Sequence, residues 1–229
     1  DNHDANERPA HQVTLPDYYI DKYEVTNAQY RKFCDETGRS YPTKLPQYEH
    51  YFNTSPDSPV MGVSWDDAAA YAAHYGKRLA TEQEWEKAAS WDPVAHSKRE
   101  YPWGSNPDPS LPNLSGQPAA VGRHPGGASS YGVQDMVGNA SEWVADFYKP
   151  YSQNQTSDPA YGTQDRVVRG GSFNFKIDDA RTTHREHWPA DTRAEQVGEK
   201  KNMSTIGIRC VVSADDPRLR DFLSKRTAQ

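Results

Sequence analysis

From His11 to Val25, apolar and polar side chains alternate on either side of Pro16, the two-residue period of a half-buried strand or strand pair. The period then lengthens. Thr26 opens the run T-N-A-Q, in which the Thr hydroxyl and the Gln29 side chain can satisfy free N–H groups at a helix start. Tyr30 and Phe33 follow on the core side, and Gly38 ends the helix. The same grammar returns twice. Val60 to Val63 is a short, apolar, strand-like entry to S-W-D-D, where Ser64 and Asp67 form a second capping box before an Ala-rich helix from Trp65 to Tyr75 that stops at Gly76. Thr81 and Glu84 form a third, ahead of Trp85, Ala88 and Ala89. Between the first two helices, Arg39 to Pro59 is rich in Tyr, Pro and polar residues without a sustained period, which predicts a surface loop.

Beyond Ser90 the patterning lapses until Tyr131, and an irregular stretch of that length in a compact domain is usually functional or pinned by a metal. Arg166 to Phe173 then reads as a strand broken at a Gly pair, and Ile206 to Val212 as a terminal strand with alternating faces. Ala214 to Gln229 reads as a charged tail or short exposed helix. The expectation is one compact α+β domain over residues 1–213 with a tail over 214–229. A chain of 229 residues with 34% hydrophobic side chains can bury one substantial core. Six Trp and 14 Tyr against six Phe suit long loops held by hydrogen bonds from indole and phenol groups.

Charge narrows the partners. With 26 Lys and Arg against 32 Asp and Glu, the formal charge is −6, which removes any general attraction to nucleic acid or anionic lipid. No run approaches the roughly 18 apolar residues of a membrane span. The first residues carry no hydrophobic leader and look like a trimmed end, so the periplasm or exterior is the expected compartment and the cytoplasm the alternative. Cys34 and Cys210 form no CxxC pair and are either one disulfide or two buried thiols.

The run D-M-V-G-N-A-S-E-W from Asp135 to Trp143 has the composition of a hard-cation site. Gly138 lets the backbone turn or approach closely, while Asn139 and Glu142 offer side-chain oxygens alongside carbonyls near Gly138 and Ala140, a set that calcium can use. The competing reading is a capped turn in which Asn139 and Glu142 satisfy backbone donors. Either way the segment is predicted to be too tight for a long regular element.

The order of blocks, Y-E-V-T-N-A-Q-Y, V-S-W-D-D-A-A-A-Y, G-K-R-L-A-T-E-Q-E-W-E-K-A-A, Y-P-W-G, G-V-Q-D-M-V-G-N-A-S-E-W, R-V-V-R-G-G-S-F and I-G-I-R-C, resembles the formylglycine-generating enzyme (sulfatase-modifying factor) family over about His11 to Val212. The resemblance implies a single α+β domain of low regular secondary structure, C-type-lectin-like, stabilised by calcium at Gly138, Asn139, Ala140 and Glu142. A second family calcium site would start at Asn113 and Leu114, but its Asp-bearing completion is not evident before Val121. Catalytic members use two copper-binding cysteines shortly after the G-G-S block. Here those positions fall near Phe175 and Ala180, neither of which carries sulfur. Copper(I) of that kind needs soft thiolates, so copper and formylglycine generation are not expected.

In their neighbourhood stands H-R-E-H-W. His184, Glu186 and His187 are candidates for a transition-metal site or general-base chemistry: in extended backbone His184 and Glu186 share a face, in a helix His184 and His187 do. The alternative is solvent contact and hydrogen bonding, with Arg185 holding carboxylates or carbonyls structurally. Two functions follow. One is a recognition or accessory module, its groove lined by Trp103, Phe175, Trp188 and His184 with Arg185 as a further binding residue, taking a peptide, glycan or partner protein. The other is an oxidoreductase of different chemistry on a small secreted metabolite, as in relatives that mature a siderophore chromophore. The sulfoxide-forming ergothioneine enzymes are disfavoured, because their iron ligands come largely from another domain.

Overall fold

A computed structural model describes residues 4–42, 46–193 and 205–219. Strand β1 (Tyr18–Ile20) precedes helices α1 (Asn27–Thr37), α2 (Pro46–Thr54) and α3 (Trp65–His74). Strand β2 (Arg78–Leu79) leads into α4 (Glu82–Ser90) and the small hairpin of β3 (Trp91–Asp92) and β4 (Ser97–Lys98). A long irregular stretch then separates these from β5 (Ser141–Phe147), β6 (Asp165–Arg169), β7 (Glu186–Pro189), β8 (Ile206–Gly207) and β9 (Cys210–Ser213). The chain is α+β, as its patterning predicts. Among the described residues, no helix is long and apolar enough to cross a membrane.

All three capping boxes form. Thr26, Ser64 and Thr81 each accept from the N–H three residues on, and Gln29, Asp67 and Glu84 return the bond. Each cap contributes about 1 kcal/mol to its helix. The helices then bury their apolar sides in two clusters on either side of the β5–β6 pair. Tyr30, Phe33, Tyr71, Trp143 and Val168 belong to one; Trp85, Met136, Val144, Tyr148 and Val167 belong to the other.

Four expectations need correction. Residues 46–54 are helical rather than a loop: Pro46 takes the first helical position, where its missing N–H costs nothing, and Phe52 is buried. The segment after Asn139 is not too tight for regular structure but is the start of β5, flanked by β6 and β8. Both its faces are buried at Ser141 to Val144, which removes the alternation that marks a half-exposed strand. Residues 60–63 are core but not strand, joining the framework through Val60 N–H to the Val25 carbonyl and Gly62 N–H to the Ile206 carbonyl. The terminal strand is two strands: β8 pairs parallel with β5, whereas β9 pairs antiparallel with β1 and β2. Ile208 and Arg209 bridge the two sheets.

Cys34 and Cys210 are both buried free thiols, the second of the two alternatives. Burial pushes the Cys34 thiol up to about 11 and Cys210 higher still, so neither is a ready thiolate. Of the tail over 214–229, residues 220–229 lie outside the described residues.

Candidate functional site

After β6 the chain turns at Gly170 and Gly171 and runs irregularly until β7, past the two positions that sulfur would occupy by resemblance. Phe175 is half-buried, its ring edge-on to His184 at 5.7 Å between centroids, and Ala180 is fully buried. Neither supplies a ligand atom. Beside them α4 aims Glu82 and Glu86 at two buried guanidinium groups. Arg169 donates to Glu82 Oε1 at 2.8 Å, to Glu86 Oε2 at 2.6 Å and to the Thr182 carbonyl at 2.6 Å. Arg185 donates to Glu82 Oε1 and Oε2 at 2.7 and 2.9 Å, and to the Asn6 carbonyl at 2.6 Å. Its structural reading is therefore the one realised: Arg185 is a buried tie rather than a groove residue.

The remaining candidates do not gather at one point. Because β7 is extended, Glu186 and His187 project to opposite faces, Glu186 opposite Val168 and His187 opposite Val167. His187 Nδ1 lies 2.6 Å from Asp165 Oδ2, and its ring stacks on Tyr148 at 4.1 Å. Burial, with the negative charge of Asp179 as second cause, pushes the Glu186 carboxyl up to about 7. His184 precedes the strand, and burial is the main cause that lowers its pKa. Its Nδ1 is buried without a hydrogen-bond partner. Among the described residues, the His and acidic groups that do converge are Asp4, Glu7 and His184, whose ligand atoms lie within 4.8 Å of one another. Asp4 and Glu7 escaped the sequence reading because they precede any periodic pattern; Glu7 sits in a three-residue 3₁₀ turn.

Nor do the aromatic residues line one groove. Trp103 stacks on Tyr101 at 5.2 Å and donates its Nε1–H to the Asn106 carbonyl. Its Y-P-W-G turn lies near the same stretch, since Thr182 N–H donates to the Glu100 carbonyl at 2.9 Å. Trp188 instead packs against the core cluster that holds Trp143. A separate open groove of about 600 Å³ runs beside β1, lined by Tyr18, Tyr19, Lys22, Lys87 and Tyr131 among others, and nothing in the sequence announced it.

The stretch expected to hold calcium is built as a hydrogen-bond node. Gly138 has φ +80°, and a Cβ there would stand 2.5 Å from the Asn113 carbonyl oxygen. Asn139 follows at φ 59°; its Oδ1 accepts from Asn113 Nδ2 and Ala119 N, and its Nδ2 donates to Glu24. The Ala140 N–H donates to the same Glu24 carboxylate. Glu142 accepts from Trp85 Nε1 at 2.6 Å and from Arg209. Asn113 Oδ1, the first donor of the second candidate calcium site with Leu114, accepts from Ser115. The side-chain oxygens of Asn139, Glu142 and Asn113 thus meet N–H and O–H groups.

Comparison with known proteins places the whole fold. The family described as Sulfatase-modifying factor enzyme 1-like domain matches residues 1–214. Hercynine oxygenase of Mycolicibacterium smegmatis is 39% identical over 207 residues, covering 73% of this chain and 48% of that protein. The inactive C-alpha-formylglycine-generating enzyme 2 of Mus musculus is 29% identical over 266 residues, covering 93% of this chain and 80% of its own. The structure of PvdO from Pseudomonas aeruginosa shares the fold, with a TM-score of 0.69 at 22% identity over 91% of this chain and 85% of that one. The chain thus spans about half the length of the hercynine oxygenase it matches.

Proposed function

Because the chain belongs to the sulfatase-modifying factor enzyme 1-like family and has no sulfur at Phe175 and Ala180, we propose that it is the family domain of a thiol-independent oxidative enzyme acting on a small molecule. The activity proposed is that of a hercynine oxygenase. The observation that carries this reading is the 39% identity to that enzyme. The reason for disfavouring it, a missing second domain, carries no weight for a chain that spans half of such a relative. Glu186, its pKa raised to about 7 by burial and secondarily by the Asp179 charge, is the proton-transfer residue of this reading. Copper has no thiolate here; imidazole and carboxylate donors suit iron instead. Calcium at Asn139 and Glu142 would require the donors from Asn113, Trp85 and Arg209 to give way, and it forms no part of the reaction.

Oxygen uptake by the full-length protein, supplied with iron(II), hercynine and a small thiol as the sulfur donor, tests the reading. Substrate-dependent uptake is expected, with kcat falling by roughly 10² or more in Glu186→Gln. No uptake with hercynine, at a concentration where calorimetry shows it bound, would overturn it. A recognition role is the second reading, favoured by the groove beside β1, where Tyr19 and Tyr131 are exposed. It predicts ligand binding without turnover.

A further inference from the structure

We propose that the outer edge of β1 is a docking site for an extended, acidic segment of a partner polypeptide, which joins the sheet as an added strand. The sheet runs in the order β1–β9–β2, and among the described residues no strand pairs with the far side of β1. Asp21 N–H donates to the Cys210 carbonyl at 2.9 Å and Ala214 N–H to the Asp17 carbonyl at 3.0 Å, with Tyr19 opposite Val212 between them. Bonded and non-bonded pairs alternate along an antiparallel ladder, so the N–H and C=O groups of Tyr18 and Ile20 point away from β9. Such a row is what an added strand bonds to. The open groove of about 600 Å³ follows this edge: Asp17, Tyr18, Tyr19 and Ile20 all line it, although successive side chains of a strand point to opposite faces. Ala88 of α4 and the segment from Tyr131 to Val133 form its other walls. Gln134 N–H, donating to the Lys22 carbonyl at 2.9 Å, holds that segment in place.

Charge selects the occupant. Lys22 and Lys87 both line the groove, Lys22 Nζ 5.3 Å from the centre of the Tyr23 ring and Lys87 Nζ 5.9 Å from that of Tyr18. Among the described residues neither ammonium group forms an ion pair, and Asp17 is the acid that shares the groove with them. The chain's charge of −6 is spread over its whole surface, and exposed charges beyond about 8 Å are largely screened at physiological salt, so the two lysines set the local sign. Carboxylates on an incoming strand give them partners. A second copy of this chain is the poorer occupant, since pairing two such edges would bring four ammonium groups together. The inference rests on the recognition reading of this groove and is independent of the oxidative one, because its test reads binding in the absence of hercynine.

The probe is a fluorescein-labelled peptide of alternating Glu and Val, titrated with full-length protein and followed by fluorescence anisotropy. Saturable binding is expected, weakened about tenfold in Lys22→Glu and in Lys87→Glu, and by a similar factor when alternate peptide nitrogens are methylated and cannot donate. Lys22 is exposed, so its variant is safe for folding. Lys32→Glu, which makes the same charge change on α1, is expected to leave binding unchanged, and a Lys–Val peptide of equal length is expected not to bind. Binding that falls in the lysine variants but survives methylation would keep the groove as a ligand site and overturn strand pairing. Equal affinity in the parent, Lys22→Glu and Lys87→Glu would overturn the proposal, as would no binding, or a dimer of this chain that the peptide cannot dissociate and that Lys22→Glu alters.

Discussion

Arg209 and Glu142, each 1% exposed, meet at 2.7 Å where the two sheets join. Arg209 also donates to the Asp21 and Gln134 carbonyls, and Glu142 accepts from Trp85 on α4. One ion pair therefore ties β5 to the bridge between β8 and β9, to α4 and to the approach before Gly138. Removing one partner leaves a buried, uncompensated charge, so Arg209→Met is expected to cost about 3–5 kcal/mol in urea denaturation. Adding Glu142→Leu to that variant should restore part of the loss. A single-variant cost below about 1 kcal/mol would show that the pair does not hold the sheets together.

Asn139→Asp separates a hydrogen-bond node from a calcium loop. The change removes the Nδ2 donor to Glu24 and sets a second carboxylate beside it, where burial and the nearby Asp135 charge already raise the Glu24 pKa well above the usual carboxylate range. The variant should lose stability in calcium-free buffer, by roughly 1–3 kcal/mol for an unsatisfied buried group. In the parent protein, calcium added after EGTA treatment should leave the melting temperature unchanged. A bound ion at 100 times its Kd would add about 2.7 kcal/mol, so a rise of several degrees would show that the ion reorganises this loop.

Glu186 gives stability a pH slope of known sign. Its folded pKa, about 7, lies above the ordinary carboxylate value, so the native state binds the extra proton more tightly than the unfolded chain. That contribution is full below the ordinary carboxylate range and is lost as pH rises through about 7. Glu186→Gln should therefore gain stability relative to the parent between about pH 4 and about pH 8. Paired urea titrations across that window check it, and a difference independent of pH would remove Glu186 as a group tuned by burial.

Much of the framework was legible because it rests on local rules. Thr26, Ser64 and Thr81 announce their helices through side chains three residues apart, whatever the rest of the chain does. Strand β5 was missed for the opposite reason: Glu142, Trp143 and their neighbours are buried on both faces, so no alternation marks them, and Glu142 beside Gly138 and Asn139 reads as an oxygen ligand or a turn cap. The site was less legible still. Asp4 and Glu7 reach His184 across about 180 residues, and no spacing rule connects an N-terminal 3₁₀ turn to a loop before β7. Alternation gave Glu186 and His187 their faces only once β7 was known to be extended. Arg185 was the exception, since a guanidinium between carboxylates was its expected structural role and Glu82 supplies both oxygens.

At the centre of the account is a framework that works without a catalytic thiol. The most direct measurement uses full-length protein with Cys34→Ala and Cys210→Ala, offered hercynine, iron(II) and a small thiol in one reaction and a cysteine-containing sulfatase-type peptide in another. Oxygen uptake with hercynine should match that of the parent, and mass spectrometry should find the peptide cysteine unchanged by either protein. Formylglycine made in the peptide by the parent and absent with the double variant would contradict the account.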